Sequence, residues 1–321
     1  MKILVLGAGG IGGYYGGRLA EAGADVTFLV RPKRAGQLAR DGLRVKSQLG
    51  DLNLPVKTVQ AGDLGAQYDV VLLTCKAYDL DSAMDAIAPA MAGQCAVIPL
   101  LNGLAHLERL DARFGADKIL GGTCAINVTL GRDGLIVHAD ALQRLSFGER
   151  DKSRSPRAKA FADALTKTRI DWELAEDIEQ NLWEKIVFLS ALAAATCAFR
   201  GNVREIIAAP GGREAIEHLL ATNSELARRE GHPPRPAATD FATKRLTDPA
   251  GTWSASMLRD VEAGNAVEAD HVVGWMLDRA RRHGLADPLL TLAYTHLKTY
   301  EARRAAGRQL PTVDSAQGFG T

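Results

Sequence analysis

The stretch Met1–Gly17, MKILVLGAGGIGGYYGG, decides how this chain is read. Lys2 to Leu6 is an apolar run of strand length. It breaks directly into Gly7-Ala8-Gly9-Gly10-Ile11-Gly12, where Gly7, Gly9 and Gly12 occupy the fixed positions of G-x-G-x-x-G. Gly7 permits a tight turn out of the strand, Gly9 lets the backbone approach a pyrophosphate, and Gly12 lets the next helix pack closely on the sheet. A helix over Ile11 to Ala22 then points unsatisfied N–H groups and a partial positive charge at the phosphates. Glycine-rich turns also occur for packing reasons alone. The strand–turn–helix order favours a dinucleotide loop, with Gly7, Gly9, Gly10, Ile11 and Gly12 as its residues.

Outward from that loop, Asp25 to Val30 (DVTFLV) reads as the next strand. In a Rossmann unit its end faces the adenosine ribose, where an acidic residue selects NAD and a basic one suits the 2′-phosphate of NADP. Arg31 stands there, with Lys33 and Arg34 just behind it and no carboxylate from Val30 to Arg40. NADP(H) is therefore the expected cofactor.

Leu43 to Ser47 and Leu52 to Thr58 read as an inserted hairpin around Gly50-Asp51. Tyr68 to Thr74 and Cys95 to Leu101 read as further buried parallel strands, ending in Cys75-Lys76 and Asn102-Gly103. Open α/β sheets bind ligands at the carboxyl ends of their strands, so position makes Lys76 and Asn102 candidates. A helix-start charge and a simple turn are the plainer readings of those two. Short strands over Thr123–Leu130, Leu135–His138 and Leu145–Phe147, a helix over Arg157–Lys167 and a strand over Arg169–Leu174 follow. From Glu176 onward the pattern is helical. The predicted architecture is an α/β Rossmann domain (doubly wound, mostly parallel sheet) over 1–175, an all-helical domain over 176–306, and a frayed tail over 307–321.

The 39 basic and 38 acidic residues give a formal charge of +1, which offers no footprint for nucleic acid or an anionic membrane. Cys75, Cys95, Cys124 and Cys197 are scattered without a CxxC pair, so reduced thiols are expected rather than a metal site or disulfides. No segment is read as a signal core or as the roughly 20 apolar residues of a membrane span, and Ile186–Phe199 reads as a buried helix. The expected location is cytoplasmic. A homodimer through an apolar face of the helical domain stays open.

Two segments of the helical part carry candidate chemistry. In DIEQNLWEKIVFL, Asp177 to Leu189, Lys185 enters an increasingly apolar helix. It either snorkels to the surface along Trp183 or Phe188, or points into a cleft as a proton donor or anion binder. In SASMLRDVEAGNAVEAD, Ser254 to Asp270, Glu268 either complements a helix dipole or binds a ligand.

KILVLGAGGIGG, VLLTCKAYDL, LLNGL, NLWEKIVF and SASMLRDVEAGNAVEAD followed by GWMLDRARRHGLADP stand in order from Lys2 to about Pro288. Together they resemble the ketopantoate reductase family, the 2-dehydropantoate 2-reductases. The resemblance implies an oxidoreductase of pantothenate biosynthesis, with NADPH and a small-molecule 2-keto acid meeting between a Rossmann and a helical domain. Lys185 matches the family's catalytic lysine, which protonates the carbonyl oxygen as hydride arrives. Glu268, the second catalytic match, binds the substrate hydroxyl. Ser256 matches the serine near the substrate carboxylate, and Asn102 the asparagine beside nicotinamide and substrate. Arg31 and Lys76 match basic residues near the adenosine phosphate and the cofactor. The family's substrate-binding asparagines, four and eight residues after the lysine, are Leu189 and Ala193 here. That departure points away from ketopantoate and toward a bulkier or more apolar 2-keto acid. A non-catalytic NADP(H)-binding sensor is the alternative reading, with a hydroxy- or imino-acid dehydrogenase behind it.

Overall fold

The computed structural model describes residues 1–285 and 287–308. They group into two compact units, Met1–Asn102 with His106–Leu182, and Gly103–Ala105 with the chain from Trp183 onward. The expected tail falls, from residue 309 on, outside the described residues.

In the first unit the order is β1 (Lys2–Leu6), α1 (Gly10–Glu21), β2 (Asp25–Leu29), α2 (Pro32–Asp41), β3 (Leu43–Ser47), β4 (Leu52–Leu54), β5 (Lys57–Val59), β6 (Val70–Leu73), α3 (Leu80–Ile87), β7 (Ala96–Pro99), α4 (Ala105–Phe114), β8 (Gly121–Leu130), β9 (Leu135–Gly148), α5 (Pro156–Leu165) and β10 (Trp172–Leu174). Five strands form one sheet in the order β5-β2-β1-β6-β7, with every pairing parallel. β6 and β7 are buried at every position, the pattern of strands covered on both faces. The strand order reverses between β1 and β6, which places the glycine loop after β1 at the topological switch point.

A second sheet runs β10-β9-β3-β4, with β8 antiparallel to β9. Here the structure corrects two readings. The expected hairpin pairs Leu43–Val45 with Leu52–Leu54, but the chain then leaves at Pro55 and Lys57–Val59 joins the other sheet beside β2. Proline has no N–H for a ladder, so one strand becomes two. Conversely, Leu135–His138 and Leu145–Phe147 belong to one strand, β9. Its register slips so that Ala139 to Leu142 stand opposite Asn127 alone. The His138 ring holds this bulge, meeting Leu142 O through Nε2 (2.9 Å) and Ser47 Oγ through Nδ1 (2.8 Å).

α1 lies between the two sheets. A Cβ on Gly16 would stand 2.7 Å from Phe28 of β2, and one on Gly17 would stand 2.9 Å from Leu43 of β3. Gly12 faces Val5 and Gly13 faces Ile136 in the same way. Two glycine ridges at i, i+4 spacing thus let backbone approach both sheets. The aromatic and aliphatic side chains of the sheets fill the space, Phe28, Leu43, Ile136 and Phe147 all being fully buried.

α6 (Ile178–Phe199) leads into the second unit, which continues through α7 (Val203–Ala208), α8 (Gly212–Arg229), α9 (Pro236–Leu246), α10 (Ser256–Glu262), a π-turn at Asp270–Gly274, α11 (Trp275–Arg282) and α12 (Pro288–Ala305). α6 overturns the expectation that no segment is long enough to span a membrane. By length and composition it suffices, with a mean hydropathy of 1.5, but 67% of that window is buried. It packs as a core helix, with Ala191, Ala194 and Cys197 fully buried. Asn223 of α8 donates to the Val187 carbonyl of α6 at 3.2 Å. Asn202 and Glu205 close a capping box on α7, and the buried Asp287 caps α12 by accepting from Leu290 N at 2.8 Å.

Candidate functional site

A cavity of about 620 Å³ opens in the first unit. That lies within the usual range for a small-molecule site, about 300–1,000 Å³. Its walls come from the carboxyl ends of four parallel strands. Gly7, Ala8 and Gly9 follow β1, Arg31 and Arg34 follow β2, Gln60–Gly62 follow β5, and Thr74, Cys75 and Asp79 follow β6.

The glycine loop has the geometry its sequence asks for. Gly7 has φ +89°, a left-handed conformation that other residues rarely adopt. A Cβ on Gly12 would overlap the Gly7 carbonyl and the Thr74 hydroxyl, and Thr74 itself donates to Leu6 O at 2.7 Å. A Cβ on Gly9 would meet nothing within 4 Å. Gly9 caps α1 without a side-chain bond, and no acidic residue stands in the first turn, where Gly10 and Ile11 lie. Open backbone beside a helix N-terminus fits a pyrophosphate.

Arg34 braces this loop. Its Nε donates to Ala8 O at 3.0 Å, and its Nη1 to Gln37 Oε1 at 2.6 Å and Gly134 O at 3.3 Å. Its pKa is lowered by burial first, then by the like charge of Arg44. Arg31 is exposed and pairs with Asp79 across 3.3 Å. Lys76 is exposed on the turn after Cys75, outside the cavity lining. Asn102 is half-buried beyond β7, also outside the lining, and is followed by Gly103 at φ +86°.

In the second unit, Lys185 is half-buried on α6. Leu189 and Ala193, at i+4 and i+8, share its face. Neighbouring contacts fix this helix. The Glu184 carboxylate accepts from Arg235 N at 2.8 Å and Arg235 Nε at 2.7 Å, pinning the start of α9. Trp183 stacks on His232, with ring centroids 5.4 Å apart, and Phe188 meets Phe241 at 5.6 Å.

Thr196, further along α6, donates to Leu192 O at 2.7 Å and accepts from Ala255 N at 3.4 Å. That contact ties α6 to the residue before Ser256, which opens α10 half-buried. Glu268 is 8% exposed, and its carbonyl accepts from Val272 N at 3.3 Å, just ahead of the π-turn. Asp270 within that turn is engaged by Tyr294 (2.7 Å) and Lys298 (3.0 Å). Lys185, Ser256 and Glu268 thus belong to one unit, while Asn102 and the glycine loop belong to the other.

Sequence reasoning passed over Asp79, Thr74 and the brace role of Arg34. Arg34 was visible as part of a basic run. Asp79 carried only a weak signal, as the first carboxylate after the Cys75-Lys76 strand end.

Comparison with known proteins agrees with this geometry. Residues 3–152 match the family model "Ketopantoate reductase PanE/ApbA", and residues 177–301 match its C-terminal counterpart. An uncharacterized oxidoreductase of Bacillus subtilis, YkpB, is 38% identical over 95% of this chain and 100% of its own length. The 2-dehydropantoate 2-reductase of Methylococcus capsulatus superimposes with a TM-score of 0.85 at 26% identity, covering 95% of this chain and 98% of that one. A D-mandelate dehydrogenase solved with NADH and anilino(oxo)acetate shares the fold at 18% identity, with a TM-score of 0.84 over 95% of this chain and 100% of its own. With both halves matched and a relative of that identity along nearly its whole length, the chain belongs to the ketopantoate reductase family of oxidoreductases.

Proposed function

We propose that the protein reduces a 2-oxo acid to a 2-hydroxy acid with NADPH, Lys185 supplying the proton. The observation that carries this reading is an ammonium set half-buried into an apolar helix face, in a chain whose other unit presents a phosphate-binding loop. The nicotinamide, when bound, supplies the hydride. Lys185 meets the carbonyl oxygen with positive charge as alkoxide character grows, then gives up a proton. Glu268 accepts from the 2-hydroxyl that the reduction creates, Ser256 holds the carboxylate, and Asn102 the nicotinamide end. Arg31, at the ribose-facing end of β2 where a carboxylate would favour NAD, supports NADPH.

The residues beside Lys185 bear on the substrate. Leu189 and Ala193 offer no hydrogen bond to a hydroxylated side chain, and the Phe188–Phe241 pair adds aromatic surface on the same helix. This supports a branched or aromatic 2-oxo acid over 2-dehydropantoate, because a site without polar partners binds hydroxylated groups poorly. Steady-state kinetics with NADPH and a panel of 2-dehydropantoate, a branched-chain 2-oxo acid and an aryl glyoxylate test this. The apolar acids are expected to give the higher kcat/KM. The reverse order would return the chain to ketopantoate reduction. No NADPH oxidation with any acid, despite tight cofactor binding, would favour a non-catalytic sensor.

A further inference from the structure

The cavity lining holds two arginines and, among the described residues, one carboxylate. Arg34 donates through Nε and Nη1 to Ala8, Gln37 and Gly134, and its buried Nη2 is left without a partner among the described residues. Arg31 instead meets Asp79, Nη2 to Oδ1, at 3.3 Å. The two come from strand ends on opposite sides of β1, since β2 and β6 are both its neighbours. Strands two apart are separated by about 10 Å, so the side chains reach toward each other over the edge of the glycine loop. Asp79 is the N-cap of α3, yet its carboxylate makes no capping bond to that helix. Both side chains are solvent-reachable, at 78% and 41% exposure, so the pair opens at little cost.

We propose that Asp79 is the ribose-selecting carboxylate of this site, acting against Arg31. The inference rests on the dinucleotide reading above. In Rossmann units the carboxylate that accepts from the ribose 2′-hydroxyl stands at the end of the second strand. Here a cation holds that place, and the carboxylate enters the same cavity from beyond β6. With NADH, Asp79 accepts from the 2′-hydroxyl. With NADPH, the 2′-phosphate repels Asp79 and competes with it for Arg31. Arg31 and Asp79 oppose each other, so the preference for NADPH is smaller than Arg31 alone would set.

Titration of the full-length protein with NADPH and NADH, followed by cofactor fluorescence, tests this without any oxo acid. Asp79→Asn is expected to tighten NADPH about threefold and weaken NADH about tenfold, the sizes of an exposed charge pair and a charged hydrogen bond. In an Arg31→Ala background the gain for NADPH should shrink to the part that comes from relieving like-charge repulsion, while the loss for NADH persists. An unchanged NADPH/NADH ratio, or a gain for NADPH that is undiminished without Arg31, overturns the assignment. Superimposable thermal melts of the variants separate these outcomes from misfolding. Failure of wild type to bind either dinucleotide would sink the cofactor reading as well. Failure to reduce any oxo acid would sink only the proposed reaction.

Discussion

Gly12 of α1 lies so close to Thr74 beyond β6 that a methyl group on it would overlap the threonine hydroxyl. The obstacle on the other side is the Gly7 carbonyl, which is backbone and has no rotamer to give. Gly12→Ala should therefore lower the melting temperature sharply, by overpacking costing about 1–3 kcal/mol, and impair cofactor binding with it. Gly9→Ala adds its methyl to open space. It should melt like wild type yet bind dinucleotide at least about tenfold more weakly, because the methyl occupies the approach to the phosphates. Paired melting and titration curves check both, and equal behaviour of the two variants would contradict the division of roles.

Lys185→Ala should lower kcat by about 10²–10⁴ while leaving cofactor affinity within about twofold. Unchanged turnover would remove Lys185 from the chemistry. Leu189→Asn restores an amide at i+4 and should raise kcat/KM for 2-dehydropantoate relative to an apolar acid by about tenfold. A ratio that does not move would mean that this helix face does not read the substrate side chain.

Glu230 follows α8, and its carboxylate meets Arg279 at 2.9 Å and His283 at 2.8 Å. Burial raises its pKa, but the hydrogen bond from His283 and the charge and hydrogen bond of Arg279 outweigh this and leave it lowered. A lowered folded-state value means stability present above the unfolded pKa of about 4.3 and lost as pH falls through the folded value. Glu230→Gln should cost about 1–2 kcal/mol at pH 7. The gap to wild type should close in melts below about pH 4, and a gap constant across that range would contradict the ion-pair account.

Burial drives the thiols of Cys95 and Cys197 up to about 12, and both are fully buried. Cys75 and Cys124 are half-buried, and Cys75 lines the cavity. Native protein treated with iodoacetamide near pH 8 should carry label on Cys75 and Cys124 and not on the other two. NADP(H) should slow labelling of Cys75 selectively. Peptide mass spectrometry reads both outcomes, and labelling of Cys95 without unfolding would refute the burial argument.

Much of this fold was legible because its signals are local. The run Lys2–Leu6 followed by three spaced glycines needs only neighbouring residues to be read. Arg31 was legible for the same reason, standing one short strand beyond the first helix. Pro55 was a local signal passed over, and it divides Leu52–Thr58 between two sheets. The continuity of β9 was hidden, since the stretch between His138 and Leu145 reads as a polar break between two short strands, whereas Ala139–Leu142 is a bulge held by His138. Asp79 was illegible as a partner of Arg31. Their meeting depends on which strands flank β1, and strand order is a property of the whole sheet.

Five glycines in twelve residues make α1 a poor helix on its own, by about 4–5 kcal/mol relative to alanine. What holds it is contact with Phe28 on one side and with Leu43 and Ile136 on the other. The helix behind the phosphate loop thus leans on Ile136 of β9, a residue far along the chain from the glycines it supports. A fragment ending before Leu135 should therefore be no dinucleotide-binding module, because the phosphate loop takes its order from both sheets at once.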